Sequence, residues 1–81
     1  MNVSINSLMM AMFSVHRDIK HHEALNNDES LKQEAREEYG QYVLDLTHVL
    51  GELGMAYKEA QQDALEFPTI DELLKKINSI Q

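Results

Sequence analysis

The chain has 81 residues, enough for one small domain, and contains no cysteine. Disulfides, thiolate metal sites and thiol catalysis are therefore excluded. Seven Lys and Arg residues stand against fourteen Asp and Glu residues, so the formal net charge is −7. This excess of carboxylates argues against binding nucleic acid through its phosphates, because that mode requires Lys and Arg to displace counterions.

The longest apolar run, residues 8–15, is far shorter than the roughly 18–20 residues that span a bilayer. No Lys or Arg precedes the run, and Arg17 and Asp18 follow it at once, so we expect no secretory signal peptide. We therefore expect a cytoplasmic protein, in its own cell or in a host cell, with no membrane contact and no cofactor.

The first of three predicted helices covers residues 4–25. Apolar side chains recur there at three- and four-residue spacing, which is typical of one helix face. The residues that could cap its N-terminus are Asn2, Ser4 and Asn6. The side chains that we expect it to place in the core or in a dimer interface are Met9, Met12 and Phe13.

The second predicted helix covers residues 28–65, with Asn27 or Asp28 as its cap and Glu29 in its first turn. Its apolar stripe persists for more than four heptads and is wider than a coiled-coil seam. The core or dimer contacts expected from this stripe are Tyr39, Tyr42, Leu46, Val49, Leu50, Leu53 and Tyr57.

Three glycines weaken the second helix, each by about 1 kcal/mol relative to alanine. Gly40, Gly51 and Gly54 all lie off the apolar stripe, so we expect no close packing on that face to depend on them. The sequence leaves open a break of the helix at residues 51–54.

The third predicted helix covers residues 69–79. The second helix must stop at Phe67, because the residue before a proline avoids the helical region. Thr69 and Glu72 then have the spacing of a capping box. The apolar face of the third helix consists of Ile70, Leu73, Leu74, Ile77 and Ile80.

These elements predict an all-α helical hairpin with a long central helix and a short C-terminal helix. We expect the first helix to pack on the first half of the central helix and the third helix on its second half. Two helices cannot enclose a core, so an apolar edge should remain uncovered. We therefore expect a two-fold homodimer that forms a four-helix bundle.

The net charge belongs entirely to residues 28–66, which hold ten carboxylates against three cations. At about 100° per residue, most of the carboxylates lie on one side of the central helix, beside its apolar stripe. We call this set the acidic edge, and its members are Glu34, Glu38, Asp45, Glu52, Glu59 and Asp63. It is either a solvated flank, in part paired with Arg17 and Lys20, or a docking edge for a basic partner.

Metal chelation is the first alternative use of the polar residues. Asp45, His48 and Glu52 share one side of the helix, and Asp18 and His22 form a second pair. Neither set has the further ligands of a strong metal site, so we expect no bound metal.

An enzyme is the second alternative. Glu34-x-x-Glu37-Glu38 and Glu59-x-x-x-Asp63 resemble the acidic motifs of the all-α nucleotide pyrophosphohydrolases, which bind magnesium. The spacing departs from that family's pattern. Glu38 and Glu59 would lie about 32 Å apart on a straight helix, so sharing an ion requires a broken helix or an antiparallel dimer.

Nucleic-acid mimicry is a third alternative, but one subunit presents its carboxylates more sparsely than DNA presents phosphates. His16 lies on the apolar face of the first helix and is expected to be a hydrogen-bonded core or interface residue. The expected function is non-enzymatic. We expect a small acidic protein-binding module that inhibits, neutralises or chaperones a partner with a basic surface, of the kind found in phages and other mobile elements.

Overall fold

Three α-helices make up the chain in a computed structural model, which describes residues 3–79. They are α1 (Ile5–Asn26), α2 (Gln33–Gln61) and α3 (Ile70–Ser79). The predicted all-α hairpin with a long central helix and a short C-terminal helix is confirmed. Two predicted positions, the cap Asn2 and the apolar residue Ile80, lie outside the described residues.

Helix α1 begins where its capping residue predicts. The Ser4 side chain accepts a hydrogen bond from the Ser7 backbone N–H at 3.1 Å, which satisfies one of the free donors of the first turn. The helix ends at Asn26, one residue beyond the predicted end.

Helix α2 begins at Gln33, five residues later than predicted. The Asp28 carboxylate accepts hydrogen bonds from the Ser30 backbone N–H at 2.9 Å and from the Ser30 hydroxyl at 2.6 Å. These bonds hold residues 28–31 in a turn, because an Asp side chain offers the backbone an alternative to the helix. They also lower the pKa of the Asp28 carboxyl, because they favour its charged form.

Two reciprocal hydrogen bonds fasten the end of α1 to the start of α2. The Asn26 side-chain amide donates to the Arg36 carbonyl at 2.7 Å, and Arg36 Nε donates to the Asn26 carbonyl at 3.1 Å. Gly40 lies beside this link, since a Cβ at that position would be 2.8 Å from Asn26 Nδ2. Gly40 is therefore needed for a close approach that lies off the apolar stripe.

Helix α2 is continuous through residues 51–54, so the break that the sequence left open does not occur. A Cβ added at Gly51 would meet no atom within 4 Å, and one added at Gly54 would make only ordinary contacts. Neither glycine has a positive φ angle. Both are therefore helical residues that a larger side chain could replace.

Helix α2 ends at Gln61, four residues before the predicted end, because polar side chains draw the following segment back over it. The Tyr57 hydroxyl donates to the Pro68 carbonyl at 2.6 Å, and the Gln61 amide donates to the Phe67 carbonyl at 3.2 Å. These bonds satisfy carbonyls that precede α3 and turn the chain toward the hairpin.

Helix α3 opens with the predicted capping box. The Glu72 backbone N–H donates to Thr69 Oγ1 at 3.2 Å, and the Thr69 backbone N–H donates to Glu72 Oε1 at 3.3 Å. Two of the first N–H groups are thereby satisfied. The helix can then place Leu73 and Ile77, both almost fully buried, against the hairpin.

The core lies at the end of the hairpin where all three helices meet. Its buried apolar side chains are Leu8, Met12, Tyr57, Leu73 and Ile77. Several residues predicted for the core pack around this cluster and are partly buried, namely Met9, Phe13, Leu50 and Leu53. The core residues Met12 and Tyr57 are fully buried, as predicted.

The arrangement of the helices differs from the expected one. Leu8 and Met12, from the first half of α1, pack with Tyr57 in the second half of α2. Helix α1 therefore extends antiparallel over much of α2, and α3 adds a third wall at one end only. The first half of α2 has no buried residue, because α1 alone covers it.

His16 is buried, with 8% of its surface exposed, and its Nε2 atom has no hydrogen-bond partner. It is thus a core-facing residue, but the expected hydrogen bond is absent at Nε2.

We expect Gly51→Ala to raise the free energy of unfolding by about 0.5–1 kcal/mol, because alanine loses less backbone entropy in a helix. Gly40→Ala is the matched comparison. Its methyl group displaces Asn26 from its bond to Arg36, so we expect the gain to be cancelled by a loss of about 1 kcal/mol. Urea denaturation measures both values, and equal gains for the two variants would contradict the close approach at Gly40.

We expect Tyr57→Phe to lower the free energy of unfolding by about 1–2 kcal/mol, because the Pro68 carbonyl loses its donor. Tyr42→Phe is the control, since Tyr42 is half exposed and its hydroxyl bonds to no residue in the described range. Urea midpoints of the two variants at neutral pH give the comparison.

We also expect the free energy of unfolding of Tyr57→Phe to depend less on alkaline pH than that of the parent chain. Burial, and secondly the Glu72 carboxylate, raises the pKa of Tyr57 above its ordinary value of about 10. The folded chain therefore binds this proton more tightly than the unfolded chain does. The resulting stability is complete below about pH 10 and is lost as the pH rises through the folded-state pKa. Tyr57→Phe should lose less stability than the parent chain over that range, and identical slopes would contradict the assignment.

Candidate protein-binding surface

All six residues of the acidic edge are exposed. Five of them lie on α2, where the interval from Glu34 to Glu59 spans about 37 Å. Asp63 lies beyond the end of α2, in the segment that leads to α3. The edge is therefore a line of carboxylates along one helix, continued by one carboxylate in a turn.

No Lys or Arg in residues 3–79 forms an ion pair with the acidic edge. Lys20 lies 3.7 Å from Glu23 on its own helix, so the pairing expected from Arg17 and Lys20 is not formed. The charge of the edge is consequently not neutralised by any Lys or Arg of the described residues.

Two neutral or weakly basic side chains do contact the edge. His48 Nε2 lies 2.8 Å from a Glu52 carboxylate oxygen, and the Gln41 amide donates to Asp45 at 3.1 Å. Both contacts join residues four positions apart on one exposed helix face. They orient the two carboxylates along the helix surface.

An uncovered apolar row lies directly beside the acidic edge. Tyr42 is 50% exposed and Val49 is 41% exposed, and they lie two turns apart on α2. Tyr42 is three and four positions from Asp45 and Glu38, and residues at that spacing are neighbours on a helix surface. Val49 has the same relation to Asp45 and Glu52. Each apolar side chain therefore lies between two carboxylates.

Helix α1 forms the other border of this row. The His22 ring stacks on the Tyr42 ring with a centroid distance of 4.4 Å, and it contacts Tyr39 at 5.8 Å. His22 also contacts Asp18, whose carboxylate oxygen is 3.1 Å from Nδ1, and its ring meets the His21 ring edge to face at 5.3 Å. We call this side of the hairpin the open face. Its residues are His22, Tyr42, Leu46, Val49 and Leu53, of which Leu46 and Leu53 are half-buried.

Helix α3 covers the opposite side of the hairpin. A groove of about 400 Å³ lies there between α2 and α3, and its walls include Leu50, Gly51, Met55, Ile70 and Leu74. The residues of the groove and those of the open face occupy different sides of α2, so the short third helix leaves the open face uncovered.

The sequence placed Tyr42 and Val49 in a core or in a dimer interface. In the single chain they belong to no core, because α3 packs on the other side of the hairpin. Tyr39 and Leu46 are half-buried between α1 and α2. A role of these residues in a dimer stays a prediction.

The carboxylates of the enzyme alternative do not converge. Glu34, Glu38 and Glu59 follow one another along a continuous exposed helix, and Asp63 lies past its end. In the described part of the chain, no group of three His, Asp or Glu side chains could hold a metal ion. The observation that would favour a magnesium-dependent hydrolase, four carboxylates around one cavity, is therefore missing within one subunit.

The sequence predicted an uncovered apolar edge but did not identify the residues that form it. The signal was present in the spacing, since Tyr42 and Val49 each have acidic neighbours at three and four positions. What the spacing cannot tell is which side of the hairpin the third helix covers.

Comparison with known proteins gives no relative: no family model matches the chain, and no curated protein or solved structure is significantly similar to it. Among the described residues, no helix combines the length and the apolar character needed to cross a membrane.

Proposed function

We propose that the chain is a small, non-enzymatic protein-binding module that docks a partner with a basic surface through its acidic edge. Inhibition, neutralisation and chaperoning of the partner are the activities that such a module can perform, and a phage or another mobile element is the source that we expect. The observation that carries the proposal is the exposed acidic edge, which pairs with no Lys or Arg of residues 3–79, beside an uncovered apolar row.

The charges support docking because they are free to act on a partner. An exposed carboxylate with a nearby cation of its own chain has part of its field cancelled, whereas no Lys or Arg of the described residues lies within ion-pair distance of the edge. Single-sign charge around an apolar patch speeds encounter with an oppositely charged partner and excludes like-charged ones.

A solvated flank remains the simplest competing explanation of the acidic edge. It differs in one respect, because a solvated flank has no need of an adjacent apolar row. Tyr42 and Val49 expose about half of their surface between the carboxylates, where polar side chains would serve solubility better.

The homodimer that the sequence predicts and the cytoplasmic location are part of the proposal. Sedimentation at increasing protein concentration tests the first, and imaging of a tagged chain in its native cell tests the second. A single 9.3 kDa species at all concentrations would remove the dimer from the proposal without affecting the acidic edge.

We expect the double charge reversal Asp45→Lys with Glu52→Lys to reduce partner capture from a native-cell extract at least tenfold. Two lost contacts of about 1 kcal/mol each already predict a loss of that size. The control is Glu29→Lys with Glu66→Lys, which changes the net charge equally at exposed positions outside α2. Quantitative mass spectrometry of the captured proteins gives the ratio, and equal capture by both double variants would overturn the proposal.

A further inference from the structure

The open face suits the docking of an α-helix better than the docking of an extended segment. Tyr42 and Val49 lie about 10 Å apart along α2, which is two helical turns. A partner helix aligned with α2 also has side chains seven residues apart on one face. Two of its apolar side chains can therefore contact Tyr42 and Val49 at the same time. An extended segment would instead need a sheet edge, and residues 3–79 form none.

From this placement we infer that the open face binds a basic amphipathic α-helix of the partner. The inference rests on the proposed function and names the element of the partner that the surface recognises. The apolar side chains of that helix cover Tyr42 and Val49, and its Lys or Arg side chains lie over the acidic edge.

Charge complementarity indicates which residues the bound helix has beside its apolar face. Tyr42 lies between Glu38 and Asp45, so a residue that covers its ring brings its own neighbours at three and four positions over those carboxylates. Lys and Arg suit these positions, because their long apolar stems also pack against the edge of the Tyr42 ring. The bound helix reduces the exposure of the carboxylates to water, which strengthens each pair.

The same charges argue against a second copy of the chain as the occupant of the open face, so the homodimer of the proposed function would have to form through another surface. The charged groups that border the open face in the described residues are the carboxylates of the acidic edge and Asp18, which contacts His22. A second copy that presented its own open face would bring further carboxylates and no Lys or Arg. Like charges in contact oppose association, whereas a basic helix satisfies both the apolar and the charged part of the surface.

The test uses a fluorescent peptide of about 18 residues, or five helical turns. Leucines at three- and four-residue spacing form one face of this peptide, and Lys and Arg occupy the flanks. A second peptide has the same composition in scrambled order, so that its charge is equal but its apolar face is lost. Fluorescence anisotropy gives the two dissociation constants, and circular dichroism reports helix formation on binding.

We expect the amphipathic peptide to bind at least tenfold more tightly than the scrambled peptide and to gain helicity in the complex. Equal binding of the two peptides would overturn the inference, because attraction would then depend on charge alone. Failure of both peptides to bind at millimolar concentration would overturn it as well.

Variants of the chain identify the face that the peptide uses. Tyr42→Ser and Val49→Ser leave the charge unchanged, and each should weaken binding of the amphipathic peptide at least tenfold. Leu44→Ser is the matched control, because Leu44 is also on α2 and is 65% exposed but lies outside the open face. Its effect should stay below twofold. Thermal unfolding of each variant verifies that the hairpin is intact.

The outcomes separate this inference from the proposed function. If the Asp45 and Glu52 reversals abolish capture of the native partner while the serine variants bind the peptide normally, the helix inference fails and the docking edge stands. If the reversals change neither capture nor peptide binding, the proposed function fails. A Leu44→Ser loss equal to that of Val49→Ser overturns the assignment to the open face. Self-association that Tyr42→Ser abolishes would identify a second copy as the occupant.

Discussion

The burial of the Tyr57 ring is the contact on which the rest of the fold depends. The ring lies in the one place where all three helices meet, packed with Met12 and Leu73, and its hydroxyl fixes the Pro68 carbonyl just before α3. A small chain without disulfides has few such contacts, so the loss of one of them affects the whole hairpin. Because this contact draws α3 to one side of the hairpin, it also determines which side of α2 stays uncovered.

Local patterns were sufficient for much of the fold. Thr69 and Glu72 form the predicted capping box because both partners lie within one turn, and Ser4 caps α1 for the same reason. The predicted start of α2 was wrong because the Asp28 side chain holds a turn that competes with the helix. The stretch of α1 that packs on α2 could not be derived either, since it depends on contacts between residues far apart in the sequence.

The candidate site likewise has one part that the sequence predicts and one part that it does not. The positions of the acidic edge follow from the helical period, so the sequence alone places Asp45 and Glu52 on one side of α2. The open face could not be derived, because Val49 and Leu50 are adjacent in sequence and both belong to the apolar stripe. Packing against the core distinguishes them, since Leu50 contacts the cluster built by all three helices while Val49 stays exposed. A wide apolar stripe on a central helix therefore contains both core and surface, and the neighbouring helices decide between them.

The uneven distribution of charged side chains around α2 gives the helix a dipole moment perpendicular to its axis. Carboxylates occupy one side, whereas Arg36 and Lys58 lie toward the other. The molecule is elongated, with extents of 47 × 28 × 15 Å, so rotation about its long axis meets the least hydrodynamic resistance. The field of an approaching cationic surface exerts a torque about that same axis. The chain can therefore turn its carboxylates toward such a surface before contact, and added salt should slow association more than it speeds dissociation.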